Sequence, residues 1–326
     1  MRYRRLGSSG LKASVVGLGG NTFGRFIDAA QTAEIVHAAL DAGVNFFDTA
    51  EGYGLGVSEQ FLGRALGDRR QSAIITTKTG WRIGKGPNER GASRWRVLNA
   101  VEASLRHLGT DYIDILMMHR WDPETPLEEM LGTLDGLIRQ GKVRYLGCSN
   151  YFGWQLVAAL STSERRGWAP FIITQAEYSV LHRDVELELI PACQAYGVGM
   201  IPYFPLAGGV LTGKYRASQA PPPGTRGQDN QRFQNLFLAQ RNLEIVPKLD
   251  AWARARGHTV AELAIAWLIA NPVVSSVIAG TTKPEQLMEN IRAADWELTP
   301  SEAAEVSAMA PVSLAPEMYQ RSVAPD

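Results

Sequence analysis

Apolar positions along the chain fall into two alternating kinds of segment. Short runs rich in Val, Ile and Leu read as buried strands: Val15 to Gly19, Asn45 to Asp48, Ala73 to Thr77, Ile113 to Met117, Tyr145 to Cys148, Phe171 to Gln175, Gly199 to Pro202 and Val274 to Ile278. Between them the apolar residues return with helical spacing. Leu127, Met130, Leu131, Leu134, Leu137 and Ile138 form one stripe, with Thr125, Pro126 and Glu128 as a capping-box start and Gly141 as the stop. Val97, Leu98, Val101, Leu105 and Leu108 form another after Ser93, and further helices are predicted after Asp28, Val57, Tyr151, Asp184, Thr259 and Thr282. Tyr3 to Leu6 and Leu11 to Ser14 flank the turn signal Gly7-Ser8-Ser9-Gly10, which predicts a leading hairpin.

Strand and helix alternate eight times without a break in composition. That pattern predicts an α/β fold, a (β/α)8 TIM barrel with an N-terminal β-hairpin at the end opposite the polar strand exits, as a single domain over residues 1–326. The regular spacing lapses at residues 207 to 240, where Gly208-Gly209, the run Pro221-Pro222-Pro223-Gly224 and Gln/Asn-rich sequence predict a long loop. The tail after Ser313 lacks periodicity and reads as a segment folded over one end.

Basic and acidic side chains balance at 33 each, so no global field draws the chain to nucleic acid or to an anionic membrane. The arginines near the N-terminus lead into Gly-Ser-Ser-Gly rather than an apolar leader, and no run of about 18 apolar residues marks a membrane span. Two cysteines, Cys148 and Cys193, are too few for a disulfide framework or a Cys-type zinc site. These features predict a cytoplasmic protein with no metal, no nucleic-acid partner and no membrane.

The chemistry gathers at the strand exits, where barrel enzymes build their sites. Asp48 and Tyr53 follow one strand in Asp-Thr-Ala-Glu-Gly-Tyr-Gly, Lys78 follows the next and His119 the one after. Taken singly, each has an ordinary reading as a cap, a packed ring, a solvated charge or a rim histidine. Together they suit carbonyl reduction. A phenol is a weak acid, with a pKa of about 10; an ammonium at about 4 Å and an effective dielectric near 20 contributes about 4 kcal/mol. That interaction lowers the phenol by roughly two to three pKa units. Asp48 would orient the lysine, and His119 would donate to the substrate oxygen. No side chain supplies a hydride, so a nicotinamide must bind alongside.

Two segments offer phosphate contacts. Gly17-Leu18-Gly19-Gly20 lacks the third glycine of a dinucleotide fingerprint and reads as a tight turn. The run Ile278 to Glu285 ends a strand and begins a helix, so backbone N–H groups, hydroxyls and Lys283 would form an anion site, with a plain capping box from Thr282 to Glu285 as the alternative.

The stretch 48–54, Lys78, His119, Gly147-Cys148-Ser149-Asn150, Gln175, Tyr203-Phe204-Pro205-Leu206, Leu211-Thr212-Gly213-Lys214-Tyr215 and Pro284 to Asn290 resemble, in order, the motifs of the aldo-keto reductase family. The resemblance implies a catalytic tetrad of Asp48, Tyr53, Lys78 and His119, with Tyr53 as general acid. It also implies that Ser149, Asn150 and Gln175 hold a nicotinamide carboxamide and that Tyr203 stacks on the ring. Asp48, Gly20 and Asn21 would lie beside the cofactor, and Phe204, Pro205, Leu206, Ala207, Gly208, Lys214 and Arg226 along its pyrophosphate. Gly280, Thr282, Lys283, Gln286, Glu289 and Asn290 would surround the adenosine and its 2′-phosphate. A lysine at position 283, where the family carries an arginine or a small polar residue, implies NADPH with NADH use left open. Phe23, Trp81 and Trp121 would wall the pocket of a small carbonyl substrate beside His119, or pack beneath their loops. Trp81, Asn88 to Arg94 and Arg120 to Pro126 resemble the branch holding potassium-channel beta subunits and their bacterial relatives. That branch supplies the alternative of a cofactor-binding regulatory or redox-sensing subunit with little catalysis. A Schiff-base lyase built on Lys78 is a further alternative.

Overall fold

The computed structural model of the chain describes residues 1–216, 219–225, 227–228 and 230–312. Arg226 and the tail from residue 313 lie outside the described residues.

Strands β1 (Tyr3–Arg5) and β2 (Lys12–Ser14) form the antiparallel hairpin. The strands β3 (Val16–Gly19), β4 (Phe46–Asp48), β5 (Ile74–Thr79), β6 (Ile113–Met118), β7 (Val143–Ser149), β8 (Phe171–Glu177), β9 (Gly199–Tyr203) and β10 (Val277–Gly280) form one parallel sheet in the order β10-β3-β4-β5-β6-β7-β8-β9. Its two outer strands meet where Met200 bridges Val274: the Met200 N–H donates to Val273 O at 2.8 Å and the Ser275 N–H donates to Met200 O at 2.9 Å. The sheet is thereby nearly closed into a barrel flanked by helices, and every strand expected from the apolar runs is present.

Two-residue alternation sorts the side chains between inside and outside. Phe46, Ile74, Ile115, Met117, Ile173, Ile201 and Ile278 pack together within the barrel, whereas Phe47, Ile75, Leu116, Met118 and Val277 join the larger core under the helices. Leu6 and Ala13 of the hairpin complete the inner cluster, and the Ser8 N–H donates to Gly197 O at 2.8 Å just before β9 begins. The hairpin therefore plugs the end where the strands start, opposite their exits. Gly17 is neither a dinucleotide motif nor a turn. It lies within β3, where an added β-carbon would stand 2.7 Å from Ile278 Cδ1 and 2.8 Å from Phe46 Cδ1.

Three local expectations need correction. The helix Leu127–Arg139 starts at Pro126 with no side-chain cap, because the Thr125 hydroxyl donates to Asp122 Oδ2 at 2.6 Å instead. The segment 207–240 is not all loop: it holds a 3-10 turn, Ala207–Thr212, and a helix, Gln231–Phe237, capped by Asn230. Phe233 and Phe237, one helical turn apart, bury themselves under Gly208, and polar composition masked that pair. The helices Gln240–Arg254 and Pro300–Met309 were also missed; the first carries Pro247 in its interior, while the second opens with a Thr299 and Glu302 capping box. Among the described residues no helix is long and apolar enough to cross a membrane.

Gly7 has φ +57°, and a β-carbon there would lie 2.3 Å from Ile172 O and 2.7 Å from Gly197 O. Gly7→Ala should therefore destabilise the fold by about 2 kcal/mol or more through the left-handed backbone and the clash with immobile main chain. Urea denaturation of the variant beside the parent chain measures it; an unchanged midpoint would show that the hairpin is not docked as described.

Candidate active site

The barrel's inner positions turn from apolar to polar as the strands approach their exits. Phe46 and then Asp48 point inward from β4, and Ile74, Thr76 and Lys78 follow the same alternation on β5. Strand register sets Asp48 opposite Thr76 and Lys78 opposite Met117, so the carboxylate and the ammonium meet across neighbouring strands. Lys78 is 0% exposed and Asp48 3%. Each of the three N–H bonds of an ammonium can donate. Lys78 Nζ donates to the Asp48 carboxylate at 2.7 Å, to Thr49 O at 2.9 Å and to the Tyr53 hydroxyl oxygen at 3.3 Å. Asp48 Oδ1 also accepts from Thr76 Oγ1 at 2.7 Å and from Gln175 Nε2 at 2.9 Å, across the barrel from β8.

His119 follows β6, its N–H donating to Thr79 O at 2.8 Å. Its ring stands edge-on to Tyr53, with centroids 5.9 Å apart, and 4.9 Å from the Trp81 ring. Its buried Nδ1 has no hydrogen-bond partner among the described residues. The tetrad proposed from sequence is thus brought together at one rim. Trp81 lies beside it, with the Arg120 guanidinium 4.1 Å from its ring centroid. Phe23 does not wall a pocket: it is 1% exposed and packs in the core beneath its loop. Trp121 is turned onto Tyr151 and Trp154, each 5.4 Å away by ring centroid.

Burial and neighbours shape the titrations. Desolvation penalises the Lys78 ammonium, but Asp48 and Tyr53 outweigh it and hold its pKa above the ordinary lysine value. Burial likewise raises the Tyr53 phenol, and Lys78 opposes that effect without overcoming it. The expected depression of the phenol is therefore reversed, because the dry site disfavours phenolate more than one ammonium stabilises it. Tyr53 keeps its proton at neutral pH. Burial, then Lys78 and Arg120, push His119 well below the usual histidine range, so its imidazole is neutral.

The remaining predicted residues occupy the other arc of the rim. Ser149 ends β7 opposite Gln175 of β8, and Asn150 follows it in the left-handed region at φ +58°. Both ends of the Asn150 amide are engaged internally: Nδ2 donates to His119 O and Ser149 Oγ, both at 3.0 Å, and Oδ1 accepts from Tyr203 OH at 2.8 Å. After Tyr203 the chain turns through positive φ at Phe204, Ala207, Gly208 and Gly209, while Pro205 is buried and Leu206 packs on the core. Lys214 Nζ lies 3.2 Å from where a β-carbon on Gly209 would stand. At the exit of β10, Gly280 faces Gly19 in register and lies next to Asn21, and the Gly20 N–H donates to Asp48 O at 2.7 Å.

No capping box joins Thr282 to Glu285. Lys283 is the N-cap of Pro284–Ala293 without a side-chain bond, and Gln286 Oε1 accepts from Thr281 Oγ1 at 3.0 Å and from the Thr282 N–H at 3.1 Å. Lys283, Gln286 and Glu289 are exposed on this terminus and Asn290 is buried.

Sequence reasoning missed Thr76 and Glu51. Thr76 was signalled by its position two residues before Lys78 on the same strand face. Glu51 lay within the stretch already singled out, but nothing local marked it as buried.

A profile of the aldo/keto reductase family matches residues 15–311. The chain is 38% identical over 301 residues to a probable voltage-gated potassium channel subunit beta of Oryza sativa subsp. japonica, covering 90% of this chain and 92% of that protein. A protein given the same name in Arabidopsis thaliana is 39% identical over 301 residues, with the same coverage. An uncharacterized oxidoreductase, YrpG, of Bacillus subtilis (strain 168) is 36% identical over 309 residues, 91% of this chain and 92% of that protein.

The depressed His119 pKa has a signed consequence. Below the ordinary histidine value of about 6.5 the unfolded chain binds this proton first, so stability falls as pH drops from there toward the lower folded value. His119→Asn should remove that part of the acid sensitivity. Imidazole NMR of the folded parent should show one ring, absent from His119→Asn, that stays neutral as the pH is taken through the ordinary range; normal titration of that ring would contradict the assigned environment.

Proposed function

The chain belongs to the aldo/keto reductase family of oxidoreductases, and from that membership and the rim's geometry we propose that it reduces aldehydes or ketones to alcohols with NADPH, Tyr53 being the proton donor. The observation that carries this reading is the buried chain of hydrogen bonds from Asp48 through Lys78 to the Tyr53 hydroxyl, with neutral His119 beside it.

When bound, the nicotinamide supplies the hydride that no side chain can. The residues fit such a group. The turn after Tyr203, with positive φ at Phe204, Ala207, Gly208 and Gly209, and the helix start at Lys283, which has no side-chain cap, lie on the same rim as Ser149, Gln175 and Tyr203, and the lysine there would meet an anion. Gln175 Nε2 is committed to Asp48, so its Oε1 is the end suited to accept from a carboxamide. Lys283 would favour a 2′-phosphate, and Gln286, Glu289 and Asn290 would line the adenosine.

A carbonyl oxygen seated between Tyr53 and His119 gains negative charge as the carbon is reduced. Neutral His119 retains one ring N–H to donate to that oxygen, while the protonated phenol delivers its proton to the forming alkoxide, a much stronger base than phenolate. Lys78 stabilises the phenolate left behind, and Asp48 holds Lys78 in place. The raised phenol pKa suits this order of events, because the acid form persists until the substrate oxygen becomes basic.

The relatives named as potassium-channel beta subunits favour a second reading, in which the same barrel binds cofactor within a larger assembly and turns over slowly. Retention of His119 and the full tetrad supports the enzyme. Two buried free thiols, Cys148 and Cys193, the latter pushed up to about 12 by burial, support a reducing cytoplasmic setting.

Tyr53→Phe should lower kcat with NADPH and an active aldehyde by a factor of about 100 or more, with little change in the NADPH dissociation constant read by fluorescence titration. Lys78→Met should act similarly, and near-normal turnover in either would overturn the mechanism. Lys283→Ala should weaken NADPH by about tenfold and leave NADH nearly unchanged, as expected for loss of one partly exposed charge contact; equal losses for both nucleotides would remove the 2′-phosphate assignment.

A further inference from the structure

Lys78 reaches the Tyr53 hydroxyl at 3.3 Å, the longest of its three hydrogen bonds and the one most sensitive to where the 49–56 loop lies. The loop's main chain is anchored at both ends, where the Thr49 N–H donates to Thr76 O at 2.8 Å and the Ser58 N–H donates to Tyr53 O at 3.2 Å. The Glu51 N–H donates to Lys78 O at 3.1 Å and the Tyr53 N–H donates to Ala50 O at 3.0 Å, after which Gly54, Leu55 and Gly56 all turn through positive φ. Between these points Glu51 turns its side chain inward rather than to water, and is 6% exposed.

Glu51 Oε1 accepts from Thr79 Oγ1 at 2.8 Å, from the Gly80 N–H at 3.1 Å and from Arg96 Nη2 at 2.5 Å. Arg96, on the helix Arg94–Leu108, is 2% exposed. One carboxylate oxygen therefore ties three segments together: the loop carrying Tyr53, the exit of β5 that leads to Trp81, and a helix on the barrel's outer layer. His119 joins the same group, since its N–H donates to Thr79 O.

Stability is a poor explanation for this pair. Replacing a buried ion pair by apolar groups of similar volume is often neutral or stabilising. Arg96 Nε, moreover, has no hydrogen-bond partner among the described residues. The pair's hydrogen bonds are directional: they join the loop to the exit of β5 and to the helix behind it.

We propose that Glu51 and Arg96 are positioning residues that hold the Tyr53 hydroxyl against Lys78 and in line with His119, acting on the proton-transfer geometry without touching substrate or cofactor. This role rests on the reductase function proposed above. A displacement of about 1 Å at a reacting group costs on the order of 100-fold in rate, so loss of the tether should appear in kcat rather than in binding.

Arg96→Met, Arg96→Lys and the apolar double replacement Glu51→Leu with Arg96→Met test it against the parent chain. The measurements are kcat and KM over an aldehyde panel, NADPH affinity by fluorescence, and the melting temperature. The expected result is a fall in kcat of about 10- to 100-fold in Arg96→Met and in the double variant. NADPH affinity should stay within about threefold and the melting temperature of the double variant near the parent's, with Arg96→Lys recovering part of kcat by restoring the charge. The kinetic isotope effect with NADPH deuterated at the transferred position should rise in the impaired variants, as the chemical step becomes more limiting.

Parent-like kcat in the folded double variant would overturn the proposal. So would a loss of kcat that merely tracks lost folding or lost NADPH affinity across the series, because the pair would then be structural. A parent chain that binds NADPH but reduces no carbonyl in the panel would instead overturn the reductase function, and this role would fall with it.

Discussion

A fully buried ammonium is tolerable only when its charge is paired and each of its donors is met, and Lys78 is such a group. Its three partners come from two places, the last residue of β4 with the residue after it, and the loop that follows. Satisfying Lys78 therefore specifies how β4 and β5 end and where Tyr53 stands. The requirement propagates, since Asp48 in turn draws Thr76 from the neighbouring strand and Gln175 from β8 across the barrel. Removing Asp48 alone would leave a buried charge uncompensated, a change of about 3–5 kcal/mol in comparable sites. The pairing of Lys78 thus organises the upper layer of the barrel.

The same polar layer continues outward in two buried carboxylates. Glu51 joins the Tyr53 loop to β5 and to the helix behind it, and Glu59 accepts from Thr77 Oγ1 at 2.6 Å while meeting His107 at 3.0 Å. Thr77 and Lys78 are consecutive and point to opposite faces, so β5 is fixed from inside the barrel by Asp48 and from outside by Glu59. The apolar clusters below this layer hold the barrel together without direction; the hydrogen-bonded carboxylates add the direction.

The order of strands explains how so many distant residues share one rim. Tyr53, Lys78 and His119 follow β4, β5 and β6, and Ser149, Gln175, Tyr203 and Gly280 lie at the ends of β7 to β10. Because β10 returns to pair with β3, the last segment comes back beside Asn21, with β3 alone between it and Asp48's own strand. Parallel strands put every exit at the same end, which is why residues more than a hundred positions apart can line one groove.

Much of this was legible in the linear order of residues. All eight barrel strands and the hairpin follow from apolar runs and turn signals, because burial on both faces of a parallel strand leaves an unmistakable apolar run, whereas the grouping of Asp48, Tyr53, Lys78 and His119 as a tetrad came from the resemblance of their motifs. The loop at 207–240 misled, since Phe233 and Phe237 become informative only once Gly208 is seen above them. Phe23 misled in the opposite sense: an aromatic at a strand exit looks like a pocket wall until its burial is known. The pairing of Glu51 with Arg96 was beyond sequence, as 45 positions separate them and only barrel packing brings them together. The Tyr53 phenol shows the distinction most clearly. Residue identity and order were enough to place a lysine beside a tyrosine, but the direction of its pKa depended on how much water the fold removes, and desolvation, which no linear spacing encodes, outweighed the neighbouring charge.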